Sequence, residues 1–135
     1  MKAEPIEWKE EYSVGNEEID AQHKGLFEIV NNFIEAYNEG ETRKVLLRTL
    51  MKLIEYTGYH FASEEALMEL NGYPKYEEHV KQHKELINGI NEVFEQIKSG
   101  DKEVDDKVLK LIKNWLINHV MKADKQYMPY LSDKK

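Results

Sequence analysis

Apolar residues recur along most of this chain at steps of three and four, the spacing that draws one stripe down a helix. Ile19, His23, Leu26, Val30, Phe33 and Tyr37 mark the first stripe, in a segment from about Glu17 to Tyr37. Leu46, Leu50, Leu53, Thr57, His60, Glu64 and Leu67 mark the second, from Thr42 to Leu70. The third, Lys75 to Lys98, carries Tyr76, His79, His83, Leu86, Ile90, Val93 and Ile97, and the fourth, Val104 to Tyr127, carries Val108, Ile112, Trp115 and His119. Asn38-Glu39-Gly40, Asn71-Gly72-Tyr73-Pro74 and Ser99-Gly100-Asp101 separate the segments. Gly72 suits the left-handed residue that closes a helix, and Pro74 suits the start of the next. Thr42 and Asp101 are the candidate N-caps of the second and fourth helices. Four helices of roughly 30 Å joined by short loops must be antiparallel neighbours. The pattern therefore predicts an all-α protein, an up-down-up-down antiparallel four-helix bundle with an N-terminal non-helical arm. The arm is residues 1–16, with Ile6, Trp8, Tyr12 and Val14 to pack on the bundle and Gly15-Asn16 as the turn into the first helix. The bundle is residues 17–131, and the whole is expected to be a single domain.

Composition narrows the functions open to such a bundle. The 135 residues are 41% hydrophobic and 33% charged, which suffices for one core and is too apolar for a disordered chain. A formal charge of −7 disfavours nucleic acid and anionic membrane surfaces. No apolar run is long enough to predict a membrane span. The first residues, MKAEPIEWKEEY, lack the apolar stretch of a secretory signal, so a cytoplasmic location is the expectation. The absence of cysteine removes a disulfide scaffold, a thiolate-held metal and a thiol nucleophile. No apolar face beyond the core stripes stands out, which points to a monomer. Met51, Met68 and Met121 read as core gap fillers. Gly25 and Gly58 each lie two residues from a histidine and are candidates for close helix approach. Lys81, Gln82 and Lys84 flank histidines but face solvent by periodicity.

The histidines change the picture. All five, His23, His60, His79, His83 and His119, fall on core positions. With a stripe covering about three positions in seven, random placement of all five there has odds of about one in seventy. Two carboxylates accompany them. Glu64 follows His60 by four residues, one turn on and on the same face, as His83 follows His79. Asp124 follows His119 by five, a step displaced by about 140° on an ideal helix; a locally wide turn would realign it, and such turns are frequent at functional sites. In an antiparallel bundle all seven groups share one end. Buried carboxylates are costly without compensation, and metal cations supply it.

Imidazole and carboxylate without thiolate suit iron, manganese or zinc. Seven ligands exceed one tetrahedral zinc, so two metal ions fit better. With both carboxylates bridging, the histidines divided three and two, and one bridging oxide or hydroxide, one position stays open on the metal with two histidines. His79 and His83 are placed to share a metal. A mostly neutral donor set leaves the metals less electron-rich than the Glu-dominated di-iron carboxylate bundles, which favours reversible dioxygen binding over substrate oxidation.

On these residues the chain resembles the haemerythrins, and more closely the bacterial single-domain bacteriohaemerythrins. The resemblance covers nearly the whole chain: the arm from Trp8 to Val14, Ile19-Asp20-Ala21-Gln22-His23, His60-x-x-x-Glu64, Gly72-Tyr73-Pro74, His79-x-x-x-His83, and Asn118-His119 followed by Asp124. It implies two non-haem iron ions bridged by oxide or hydroxide and by the carboxylates of Glu64 and Asp124. His79, His83 and His119 would bind one iron, and His23 and His60 the other, which keeps the open site. Dioxygen would bind end-on there as a hydroperoxide. Phe61, Trp115, Leu116 and Val120 match the apolar residues that line the oxygen pocket, with Gln22 and Tyr127 as supporting groups. The implied function is a reversible oxygen carrier, storage or delivery protein and not an enzyme, with dioxygen as ligand and an oxygen-consuming oxidase as a conceivable partner. The alternatives are an oxygen or redox sensor, a di-iron enzyme (peroxidase, iron oxidase or nitric-oxide scavenger), and a metal store or zinc-filled structural bundle.

Overall fold

The computed structural model describes residues 3–119, and its four α-helices follow the hydrophobic stripes closely. Helix α1 spans Glu17–Asn38, α2 Arg43–Leu70, α3 Tyr76–Ser99 and α4 Asp106–Asn118. They form an antiparallel four-helix bundle in which α1 lies against α2 and α4, and α2 against α3. The indole N–H of Trp115 on α4 donates to the Leu86 carbonyl of α3 at 3.1 Å, tying the remaining pair. No helix among the described residues is long and apolar enough to cross a membrane.

Local chemistry sets the helix ends. Asn16 caps α1 by accepting from the Ile19 amide, and Thr42 caps α2 by accepting from Val45, each satisfying one of the donors a helix start leaves open. The cap expected at Asp101 falls instead at Asp105, whose side chain accepts from the Val108 amide at 3.0 Å. The apolar stripe of α4 begins at Val108, so a carboxylate three residues earlier is the one in reach of an open amide; Asp101 lies in the preceding loop. At Gly72 and Gly100 the chain enters the left-handed region, with φ of 66° and 89°, where a side chain would be strained. Pro74 falls in the turn two residues before α3, not in its first turn.

The arm runs back along α1. Two asparagines of α1 read its backbone reciprocally: Asn38 accepts from the Ala3 amide and donates to its carbonyl, each at 2.8 Å, and Asn31 does the same at Ile6 at 2.7 and 2.8 Å. A 3₁₀ turn at Glu10–Tyr12 interrupts the otherwise extended course. There Trp8 packs edge to face on Tyr12 and Phe27, whose own rings are tilted to each other, with ring centroids 5.3–5.6 Å apart. Asp20 fixes the arm's end by accepting from the Val14 amide and the Ser13 hydroxyl.

The core has two parts. A large apolar cluster, including Leu26, Val30, Phe33, Leu50, Leu53, Ile90, Ile97, Val108, Ile112 and Leu116, fills most of the bundle. A small one, Val14, Ile19, Met68 and Tyr73, closes one end. On the first three helices the histidines lie between the two along the chain: His23 between Ile19 and Leu26, His60 and Glu64 between Leu53 and Met68, and His79 and His83 between Tyr73 and Ile90. Met68 is fully buried as expected of a gap filler, whereas Met51 is 46% exposed and fills nothing; Met121 lies outside the described residues.

Candidate metal centre

Six of the seven candidate ligands are in the described residues, and the bundle brings all six together. His23, His60 and Glu64 are completely buried, and His79, His83 and His119 are 2–3% exposed. Glu64 is the hub. Its Oε2 lies 2.9 Å from His60 Nε2 and 3.3 Å from His23 Nε2, while its Oε1 lies 3.0 Å from His83 Nε2 and 3.5 Å from His119 Nε2. Two overlapping groups of donor atoms result, His23, His60, Glu64 and His119, and Glu64, His79 and His83. His119 thus sits between them, with its Nε2 near the oxygen that faces His83 and a donor within reach of the His23 and His60 set. Asp124, Val120 and Tyr127 lie outside the described residues. His119 itself takes a π-type position; the wide turn expected between it and Asp124 lies outside the described residues.

The outer nitrogens of two rings are held by side chains of α1 and α2. His60 Nδ1 lies 2.8 Å from Gln22 Oε1, and the amide nitrogen of Gln22 donates to the Tyr59 hydroxyl at 3.4 Å. His83 Nδ1 lies 2.8 Å from Glu65 Oε2. Gln22 is the supporting group expected from sequence; Glu65 was not expected. It stands off the apolar stripe of α2, and only the facing of α3 brings His83 to it.

These contacts test whether the residues suit a metal. Amide and carboxylate oxygens accept, so Nδ1 of both rings carries the proton. In a neutral imidazole the other nitrogen then presents a lone pair. At His60 and at His83 that lone pair faces a Glu64 oxygen at 2.9 and 3.0 Å. Lone pair against carboxylate is repulsive, and a cation between them takes both as donors. The donor set therefore fits metal ions of the nitrogen- and oxygen-loving kind.

The four oxygen-pocket candidates are placed unequally. Phe61 stacks on the His83 ring, centroids 3.8 Å apart and planes 3° off parallel, and its ring lies 4.9 Å from that of His119. Leu116 is fully buried in the large apolar cluster, and Trp115 is half-buried against that cluster, one turn before His119. Trp115 also lines a groove of about 490 Å³ with Ile90, Val93 and Ile112. Gly25 makes the close approach expected of it: an alanine Cβ there would meet the Tyr56 hydroxyl of α2 at 2.5 Å. Gly58 does not, with nothing within 4 Å.

An antiparallel four-helix bundle closed around buried histidines and a carboxylate defines a metal-binding bundle. Residues 14–131 match the family described as Hemerythrin HHE cation binding domain. The bacteriohemerythrin of Methylococcus capsulatus is 34% identical over 113 residues, covering 84% of this chain and 86% of that protein. The myohemerythrin of Theromyzon tessulatum is 32% identical over 124 residues, 92% of each. A wild-type hemerythrin of known crystal structure superposes with a TM-score of 0.86 at 31% identity, over 95% of this chain and 98% of that one. The chain belongs to the haemerythrin family.

Proposed function

We propose that this chain is a non-haem di-iron protein that binds dioxygen reversibly, as a carrier, store or delivery protein and not as an enzyme. The observation that carries the reading is the convergence of five imidazoles around one buried carboxylate, four of them with Nε2 within 3.5 Å of its oxygens, and with the lone pairs of His60 and His83 turned inward. In this reading His23, His60, His79, His83 and His119 hold two irons with Glu64 and Asp124, the two carboxylates and an oxide or hydroxide bridging. His23 and His60 serve the iron with the open position, and His79 and His83 the other together with His119. When bound, the iron pair supplies two electrons that dioxygen borrows and returns.

The chain's own residues do the rest. Gln22 and Glu65 fix the tautomer and plane of His60 and His83. Phe61 covers the cluster with an aromatic face, and the apolar residues above and below it exclude water, which would otherwise promote loss of the reduced state. The mostly neutral donor set supports reversible binding over oxidation of a substrate.

The test is to purify the protein, count metals per chain, reduce it without air, and record visible spectra while oxygen is admitted and withdrawn. Bound iron, a colourless reduced form and a charge-transfer band that rises and fades with oxygen are expected. Iron that oxidises irreversibly, or sustained turnover of peroxide or nitric oxide, would move the protein to the enzymes. Zinc or no metal would overturn the reading.

A further inference from the structure

Consecutive carboxylates on α2 have opposite surroundings. Glu64 is fully buried, whereas the Glu65 side chain is 28% exposed and reaches His83 Nδ1 at 2.8 Å. On the other side of the cluster the corresponding place at His60 Nδ1 is taken by the neutral amide of Gln22, also at 2.8 Å. The distances match and the charges differ by one. We propose that Glu65 is a positioning residue whose charge makes His83 the more electron-donating imidazole and lowers the potential of the iron pair. The inference rests on the di-iron reading above.

Hydrogen bonds to a charged acceptor are roughly twice as strong as those between neutral groups. A carboxylate drawing on the Nδ1 proton leaves more charge on Nε2, the nitrogen 3.0 Å from Glu64 Oε1. Phe61, stacked parallel on the ring, allows that imidazole little freedom to turn away. A cleft of about 420 Å³ lined by Phe61, Glu65, Val80, His83 and Lys84 brings water to the outer side of Glu65, so its charge need not be buried. Gln22 donates its amide hydrogen to Tyr59, which orients the amide oxygen towards His60 without adding charge. More donation from His83 stabilises the oxidised state of its iron, whereas an amide at His60 leaves that position easier to keep reduced.

The experiment compares iron-loaded wild type with Glu65→Gln, Glu65→Ala and Gln22→Glu. The readouts are iron content, the rate of iron loss to a ferrous chelator, the Mössbauer spectrum and the midpoint potential of the iron pair. Glu65→Gln keeps the hydrogen bond and loses the charge: iron is retained, the potential moves positive, and one of the two iron signals shifts. Glu65→Ala loses both and holds iron about 10–100-fold less tightly, read as faster loss to the chelator. Gln22→Glu moves the potential negative and shifts the other iron signal. A Glu65→Gln protein with wild-type potential and Mössbauer spectrum would overturn the inference while leaving the di-iron reading intact. Wild-type protein that binds no iron would overturn both.

Discussion

Two glycines that look alike in sequence are expected to respond oppositely to alanine. Gly25 on α1 faces Tyr56 on α2, and a Cβ there would lie 2.5 Å from the hydroxyl oxygen, 2.8 Å from Cζ and 3.0 Å from Cε2. Ordinary carbon contacts are about 3.5–4.0 Å, so the ring must retreat by roughly 1 Å. Tyr56 is a rigid ring packed at the edge of the core and 5.6 Å from the Tyr59 ring, so it cannot simply swing its far end aside. Overpacking of this kind costs about 1–3 kcal/mol, and the better helix propensity of alanine returns about 1. Gly25→Ala should therefore destabilise by about 1 kcal/mol, lowering Tm by about 3–5 °C in a chain of this size. Gly58 has nothing within 4 Å, so Gly58→Ala should stabilise by about 1 kcal/mol through propensity alone. Thermal and urea denaturation followed by circular dichroism, at matched iron content, measures both. Adding Tyr56→Phe to Gly25→Ala removes the nearest contact and should recover part of the loss. If Gly25→Ala proved as stabilising as Gly58→Ala, α1 and α2 would not be in close contact there, and the reasoning would fail.

The remaining expectations follow from single contacts. Glu64→Gln keeps the shape but removes the charge shared by four imidazoles, so iron content should fall from about two to below one per chain, with a lower Tm, by metal analysis and calorimetry. Asp105→Ala should cost about 1 kcal/mol through the lost cap, while Asp101→Ala stays within about 0.5; comparable losses in the two melts would refute the cap assignment. Desolvation by burial raises Tyr56 above the ordinary phenol range, with Tyr59 and Glu28 adding to it. The fold thus favours its neutral form, and that contribution is complete below the unfolded phenol's pKa and lost as pH rises through the folded one. Tyr56→Phe should remove one alkaline component of a tyrosine absorbance titration and soften the alkaline loss of stability.

Sequence periodicity determined which residues face inward. Most stripe positions are buried on all four helices, with Tyr37, Leu67, Tyr76, Leu86 and Trp115 only partly so, because positions three and four apart share a face on any α-helix whatever it packs against. The same locality made Thr42, Gly72 and Gly100 legible, since caps and left-handed turns depend on a few neighbouring residues. It also made the six described histidine and glutamate candidates legible, because their anomaly is a polar residue where a leucine belongs. Asp101 against Asp105 turns on where the stripe of α4 begins, a signal carried by Val108 and masked by the nearer break at Gly100.

What the spacing could not carry is the rotation and separation of one helix against the next. Gly25 and Gly58 differ only in what faces them. Met51 and Met68 differ only in which side of α2 they occupy. Glu65 lies off the stripe and acquires its partner from α3, and Asn31 and Asn38 acquire theirs from an arm that folds back across α1. Whether Trp115 meets the metal centre or the groove beside it is likewise settled by how α4 leans on α3. Such contacts join residues far apart in the chain, so only packing of the whole bundle decides them, whereas helix formation and facing are decided within a few turns.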